Sequence, residues 1–286
     1  MNQKTASHLI RYDLKSIALS RFEYTRDYPY VVSPFSRLYL ITEGKGWIMM
    51  DGKKIILEPN YLYLIPSFTP CSYHFEKDLV HYYLHFSTTL LNGLNVYNLY
   101  NATTKIPGTP LDYLLFERLL EINPDLELPH PDPHIYQTKE WLNKTNNYPQ
   151  AAFFIESRGI QEQLLSRFLI EKKTPTGSLM VRYNIQPIME YIQVNLKENI
   201  KMDTLAKMAC LSTDHFTKIF KSIVSIPPNE FIIKKRIEKA QLLLLTTDRP
   251  LKIIFEEAGF KSLAYFSRIF KKYTSKTPLE YRRMSG

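Results

Sequence analysis

The sequence predicts an α+β chain of two domains. An N-terminal antiparallel β-barrel with trailing helices comes first, followed by an all-α domain with two helix-turn-helix motifs joined by a long helix. Three observations predict this. Over the first part of the chain, short apolar and aromatic runs alternate with turn signals. After Pro110 the apolar residues recur at spacings of three and four. Near the C-terminus a block repeats: Phe216-Thr-Lys-Ile-Phe-Lys221 returns as Phe266-Ser-Arg-Ile-Phe-Lys271, and the match extends through Ser225/Ser275, Pro228/Pro278, Glu230/Glu280 and Phe231/Tyr281.

In chain order, the β text runs from Phe22 to about Phe86, broken by Tyr28-Pro29, Ser33-Pro34, Glu43-Gly44-Lys45-Gly46, Asp51-Gly52, Glu58-Pro59-Asn60 and Ile65-Pro66-Ser67. Asp51-Gly52 is the sharpest hairpin signal, set between Trp47–Met50 and Lys54–Leu57. Alternation puts Arg37, Tyr39 and Ile41 on one face of their strand, and Tyr61, Tyr63 and Ile65 on one face of theirs. Residues 1–110 are therefore assigned to the β domain.

The segment 111–173 reads as helical. Leu111, Leu114, Leu115, Leu119 and Ile122 form a stripe that stops at Asn123-Pro124. A proline-rich loop from Pro124 to Pro133 leads to helical text at Ile135–Asn143 and again from about Gln150 to Lys172. In the last, Ile160, Leu164, Leu165, Phe168 and Leu169 make an apolar face for packing or dimerisation. Residues 174–182 read as a linker, because Pro, Gly and small polar residues suit an exposed hinge.

Residues 183–286 hold the repeat. The first unit, about 202–223, has one helix over Met202–Ala209, a turn at Cys210-Leu211 and a second helix capped by Ser212. Burying Phe216, Ile219, Phe220 and Ile223 leaves Thr213, Asp214, His215, Thr217, Lys218 and Lys221 to face out. The second unit, about 251–273, runs from Leu251–Ala258 through Gly259-Phe260 to a helix over Ser262–Tyr273. There Phe266, Ile269 and Phe270 face in, and Ser262, Leu263, Ala264, Ser267, Arg268, Lys271 and Lys272 face out. Between the units, Pro228–Thr246 is a continuous helical pattern of about 19 residues, roughly 28 Å long. That approaches the ~34 Å turn of B-DNA, so such a spacer sets two recognition helices into successive major grooves.

Charge supports a nucleic-acid partner. From Asn184 to the end, 18 Lys and Arg oppose 10 Asp and Glu, whereas the earlier residues are nearly balanced at 19 against 18. A basic surface gains affinity for DNA by releasing its condensed counterions. Lys221, Lys271 and Lys272 suit phosphates, while Arg268 and its counterpart Lys218 suit guanine edges.

Other classes are disfavoured. Cys71 and Cys210 fall in different domains and form no C-x-x-C pair, so neither a disulfide framework nor a structural zinc site is expected. The first residues lack an apolar signal core, and the longest aliphatic run, Leu242–Leu245, is too short for a bilayer, so the expectation is a soluble, cytoplasmic chain. His74, His81 and His85 invite a metal, but a His-x-His pair with a following carboxylate is missing, and no metal or other cofactor is expected. Arg37, Tyr39, Trp47, Tyr63, His81 and Tyr83 are the candidate effector contacts: aromatic faces stack on a ligand ring and Arg or His bonds its polar groups.

The C-terminal text resembles the AraC/XylS-type transcriptional regulators. The residues that carry the resemblance are Leu205-Ala206, Ser212, Phe220-Lys221, Pro228, Arg236, Ala240, Ala258-Gly259-Phe260, Tyr265–Arg268, Phe270–Lys272, Thr277-Pro278 and Tyr281-Arg282. The resemblance implies a seven-helix domain, promoter DNA and RNA polymerase as partners, and commonly activation. Phe255 stands where a small alanine is usual, Ser225 and Ser275 stand where turn glycines are usual, and Leu263 and Ala264 replace common polar readers.

More loosely, Leu40–Gly46, Asp51-Gly52, Leu57–Asn60, Leu64–Pro66 and His81–Phe86 resemble the cupin-like effector domain of the same family, with Cys71 in place of a usual histidine. That implies a barrel holding a small molecule, often a sugar, and a homodimer. The reading is thus a non-enzymatic, effector-responsive DNA-binding regulator. The alternatives are a DNA-binding module whose barrel only dimerises, or a cupin enzyme fused to a DNA tether.

Overall fold

In the computed structural model, which describes residues 10–90, 95–98, 100–144, 148, 150–170 and 185–283, the alternating N-terminal text forms two antiparallel sheets. The strands are β1 (Ile10–Arg21), β2 (Arg26–Val31), β3 (Ser36–Glu43), β4 (Gly46–Met50), β5 (Lys53–Leu57), β6 (Tyr61–Ile65), β7 (Cys71–Phe75), β8 (Val80–Leu90), β9 (Asn101–Ala102), β10 (Lys105–Pro107) and β11 (Leu169–Ile170). One sheet has the order β1-β8-β3-β6-β10 and the other β2-β7-β4-β5, with a small β11-β9 pair besides. The ladders thus form two sheets whose inner faces pack together, a flattened version of the expected barrel with no closed ring of hydrogen bonds among the described residues.

The hairpin signal at Asp51-Gly52 is used as such. Both residues take positive φ, 50° and 73°, which matches the twist of the flanking strands β4 and β5. In the larger sheet Tyr39 pairs with Tyr63 on one side and Tyr83 on the other, which puts these three rings in one row on the inner face.

Helices α1 (Pro110–Ile122), α2 (Pro133–Tyr136), α3 (Lys139–Asn143) and α4 (Ala151–Ser166) follow the sheets. Three expectations change here. The stripe on α1 is rotated: Asp112, Phe116, Leu119 and Ile122 are buried, while Leu111 and Leu114 are exposed. The cause is a capping box, in which Asp112 accepts from the Thr109 amide at 2.6 Å and the Thr109 hydroxyl at 2.8 Å and also pairs with Arg167. The helical text at 135–143 breaks into two short helices because Thr138 caps the second. The last helix ends at Ser166, and Leu169–Ile170 forms a strand instead. The predicted linker, 174–182, lies outside the described residues.

The chain divides into two units: one holds residues 12–88 and 102–170, with most of the strands and α1–α4, and the other holds the described residues of 10–11, 89–101 and 185–283. In the second, residues 185–283 form seven α-helices: α5 (Ile185–Val194), α6 (Met202–Met208), α7 (Thr213–Val224), α8 (Pro228–Thr246), α9 (Leu251–Glu257), α10 (Leu263–Thr274) and α11 (Pro278–Arg282). The repeat in the sequence is a repeat in packing. Phe220 meets Phe231 edge to face at 5.6 Å, and the matching Phe270 meets Tyr281 at 5.3 Å. Gly259, in the second turn, has φ 92°, and a Cβ there would lie 1.9 Å from the Leu196 carbonyl oxygen, so the close approach of turn and backbone requires glycine. Arg236 clasps the same loop, donating to the Leu196 and Glu198 carbonyls at 2.9 Å each.

Candidate nucleic-acid interface and ligand cavity

The two helix-turn-helix units are α6–α7 and α9–α10. Each second helix starts at a serine whose hydroxyl accepts from the backbone three residues on, Ser212 from His215 and Ser262 from Tyr265, both at 3.4 Å. Phe216, Phe220 and Ile223 are buried on α7, as are Phe266, Phe270 and Thr274 on α10. Ile219 and Ile269 are only half-buried.

On the opposite face, Thr213, Asp214, His215, Lys218 and Lys221 are exposed on α7, and Leu263, Ala264, Arg268, Lys271 and Lys272 on α10, with Ser262 beside them. Thr217 and Ser267 are half-buried, and Thr217 turns its hydroxyl back to the Thr213 carbonyl at 2.8 Å. The sequence reading passes over Tyr265, which is exposed on the same face, with the Arg268 guanidinium 5.6 Å from its ring centre. A stacked guanidinium is held in fewer orientations than a free one, which favours directional bonding. The signal is there in the repeat, since Tyr265 is the counterpart of His215. Phe255, the departure in α9, stacks on Phe266 of the recognition helix at 6.3 Å and so enlarges the second unit's core.

In the β unit a cavity of about 310 Å³ opens between the two sheets. Arg37, Tyr39, His81 and Tyr83 of the predicted set line it. Trp47 and Tyr63 do not, and both are corrections. Burial on β4 alternates so that Ile48 and Met50 face in, and Trp47 lies on the outer face stacked on His74 at 5.3 Å under the Lys54 ammonium. Tyr63 faces inward but is fully buried in the core, its hydroxyl donating to the Ile56 carbonyl at 2.9 Å and accepting from the Glu58 amide at 2.8 Å. The sequence reading misses Phe22, Tyr28, Tyr73, Phe75, His85 and Tyr136 in the wall. Alternating aromatics on a strand do not by themselves tell a cavity wall from a core.

The cavity's charge is unusual. Arg37 is 1% exposed, and its Nη2 donates to the Cys71 sulfur at 3.3 Å, while Nε and Nη1 have no protein partner. Its guanidinium carbon sits 5.2 Å from the Tyr73 ring centre. Burial opposes its charge, and the neighbouring Cys71, Tyr73, Tyr39 and Tyr136 would support that charge only as anions. Burial also pushes the Tyr39 and Tyr83 hydroxyls up to about 12, so they are neutral donors. His81 is pulled down to about 3 by burial. His85, bonded through Nδ1 to the Ser16 hydroxyl at 3.0 Å, is held well below its ordinary value by burial, then by Arg37 and His81. Both histidines are therefore neutral near pH 7.

The segment from Leu126 to Tyr136 covers one side of the cavity. The Leu128 amide donates to the Tyr83 hydroxyl at 2.9 Å, and the Ile17 amide donates to the Leu126 carbonyl at 2.9 Å. Among the described residues, no group of three or more His, Cys, Asp or Glu is placed to hold a metal ion, and no helix is long and apolar enough to cross a membrane. Both cysteines are free thiols.

Comparison with known proteins matches both parts. Residues 16–96 match the AraC-like ligand binding domain family, and residues 205–284 match a helix-turn-helix domain family. The chain is 29% identical to the arabinose operon regulatory protein of Escherichia coli over 172 residues, covering 50% of this chain and 59% of that protein. It is 30% identical over 101 residues to "Probable transcriptional regulator LumQ" of Photobacterium leiognathi, covering 35% of this chain and 41% of that one. The chain thus spans less than two thirds of the length of these curated relatives. Among solved structures, an apo variant of ToxT from Vibrio cholerae matches with TM-score 0.53 and 15% identity over 97% of this chain and 98% of that one. Wild-type ToxT with a bound unsaturated fatty acid matches with TM-score 0.52 and 14% identity over 96% and 95%. At that identity the likeness establishes the shared two-domain fold.

Proposed function

We propose, for a chain that belongs to the AraC/XylS family, that it regulates transcription by binding promoter DNA in a sequence-specific way through both recognition helices, under the control of a small molecule in the β unit. The observation that carries this reading is the doubled surface: α7 and α10 are closed, packed and exposed in the same way, and the 19-residue α8 joins the two units. Lys218 and Arg268 occupy equivalent exposed positions for base edges, and Lys221, Lys271 and Lys272 serve phosphates. Leu263 and Ala264 offer apolar contact to thymine methyls.

The finer expectations rest on the family and on local features. Exposed Leu111 and Leu114 on α1, with Phe154 and Ile155 on α4, support a homodimer. The family likeness supports activation through RNA polymerase, a cytoplasmic setting and a non-enzymatic role. A cavity with a buried, unpaired guanidinium supports an effector over a β unit that serves dimerisation alone.

The test is selection of bound duplexes from a random pool with the full chain at near-physiological salt. Enrichment of a bipartite motif with halves about one helical turn apart supports the reading. Binding without enrichment contradicts it, leaving a basic surface with no sequence preference.

A further inference from the structure

We propose that the effector is a small organic monocarboxylate, held by the guanidinium of Arg37 with its apolar body against the aromatic wall of the cavity. The inference rests on the reading of that cavity as the effector site, and it replaces the neutral sugar suggested by the family.

Arg37 carries its charge at any physiological pH, and among the described residues the cavity supplies no counter-charge near it. The one carboxylate in the lining, Glu127, is exposed, and its charge acts on Tyr83 and is not among those acting on Arg37. The other lining cation, Arg21, is also exposed and is engaged by Glu43 at 3.0 Å. Leaving a buried cation unpaired is costly, and an anionic ligand would remove that cost on binding.

The geometry of the guanidinium selects the anion. Its five N–H groups make two forks, one from Nε with Nη2 and one from Nη1 with Nη2. The Cys71 sulfur engages one N–H of Nη2, so whichever that is, one fork is left without a protein partner. A carboxylate fills such a fork with two parallel bonds. His81, whose Nδ1 has no protein partner, adds a neutral polar contact nearby.

The wall limits charge and size. Phe22, Tyr28, Tyr39, Tyr73, Phe75 and Tyr136 give a ring-lined surface suited to an aromatic or aliphatic body. With one buried cation and neutral histidines, the cavity compensates one negative charge and leaves a dianion such as phosphate with its second charge unmatched. A neutral polyol stacks its C–H face on such rings and accepts from a guanidinium, but it leaves the guanidinium charge uncompensated.

The test uses calorimetric titration of the full chain with two matched series: benzoate, phenylacetate and hexanoate, against benzamide, phenylacetamide, hexanamide, arabinose and glucose. The expected result is binding of at least one acid, with its amide weaker by about 10- to 100-fold, the size of a lost charge-assisted hydrogen bond in a buried site. Arg37→Gln removes that preference while the acid and amide come to bind alike. An amide or sugar that binds as tightly as the acids overturns the carboxylate and leaves the effector reading intact. Silence in both series overturns the small monocarboxylate and leaves the effector reading intact, to be tested with other ligand classes. The acid-versus-amide comparison needs only the unaltered protein, so it decides even if Arg37→Gln fails to fold.

Discussion

Ser225 and Ser275 end the two recognition helices in the same left-handed conformation, with φ 72° and 59°, and each donates its amide to a lysine carbonyl, Lys221 or Lys271, at 2.8 Å. This is the glycine position of a helix C-cap, filled twice by serine. A side chain in that region costs about 1–2 kcal/mol, and glycine gives back about 0.5–1 kcal/mol in unfolded-state entropy. Ser225→Gly and Ser275→Gly are therefore each expected to stabilise the helical unit by about 0.5–1 kcal/mol. Denaturant unfolding checks this, and a loss of stability in either variant would mean that the serine hydroxyl contributes more than the strain costs.

The helical unit is legible in the sequence because its signals are redundant. The repeat, the serine caps, Gly259 and the phenylalanine spacing all specify the same helices. The β unit is less legible. A strand that alternates aromatic and polar residues has two faces, and only tertiary packing decides which one is inside, as the outward Trp47 shows. Tyr63 shows a second limit: an inward ring is wall or core according to where its neighbours leave space. On α1 the stripe of leucines outweighs, to the eye, the Thr109–Asp112 capping box, which fixes the rotation of the helix and buries a carboxylate in place of Leu111.

The buried histidines predict acid sensitivity. His81 is pulled down to about 3 in the folded protein, so below its ordinary value of 6.5 the unfolded chain takes up a proton that the folded chain refuses. Its contribution to stability is complete above that value and is lost as pH falls toward 3. The slope approaches about 1.4 kcal/mol per pH unit for this one group. Unfolding measured from pH 7 to pH 4 should show a shallower dependence in His81→Gln than in the unaltered chain. Equal slopes would mean that the ring is solvated and titrates normally.

Tyr83 links the cavity wall to the segment that covers it, because its hydroxyl accepts from the Leu128 amide. Tyr83→Phe leaves that amide without its partner and is expected to cost about 1 kcal/mol. Hydrogen exchange at Leu128 should quicken by several-fold, with the strand amides of β8 unchanged. Unchanged exchange at Leu128 would show that the cover is held by its other contacts.

If each helix-turn-helix unit reads its own half of one DNA site, base preference measured position by position will separate the two units. Lys218→Ala and Arg268→Ala, on the exposed faces of α7 and α10, are compared with the unaltered chain on the selected duplex and its single-base variants. Each substitution is expected to cost about 1–3 kcal/mol at a base pair in its own half-site and to relax preference there, leaving the other half unchanged. Uniform weakening across all variants, from either substitution, would contradict paired reading and reduce these residues to phosphate contacts.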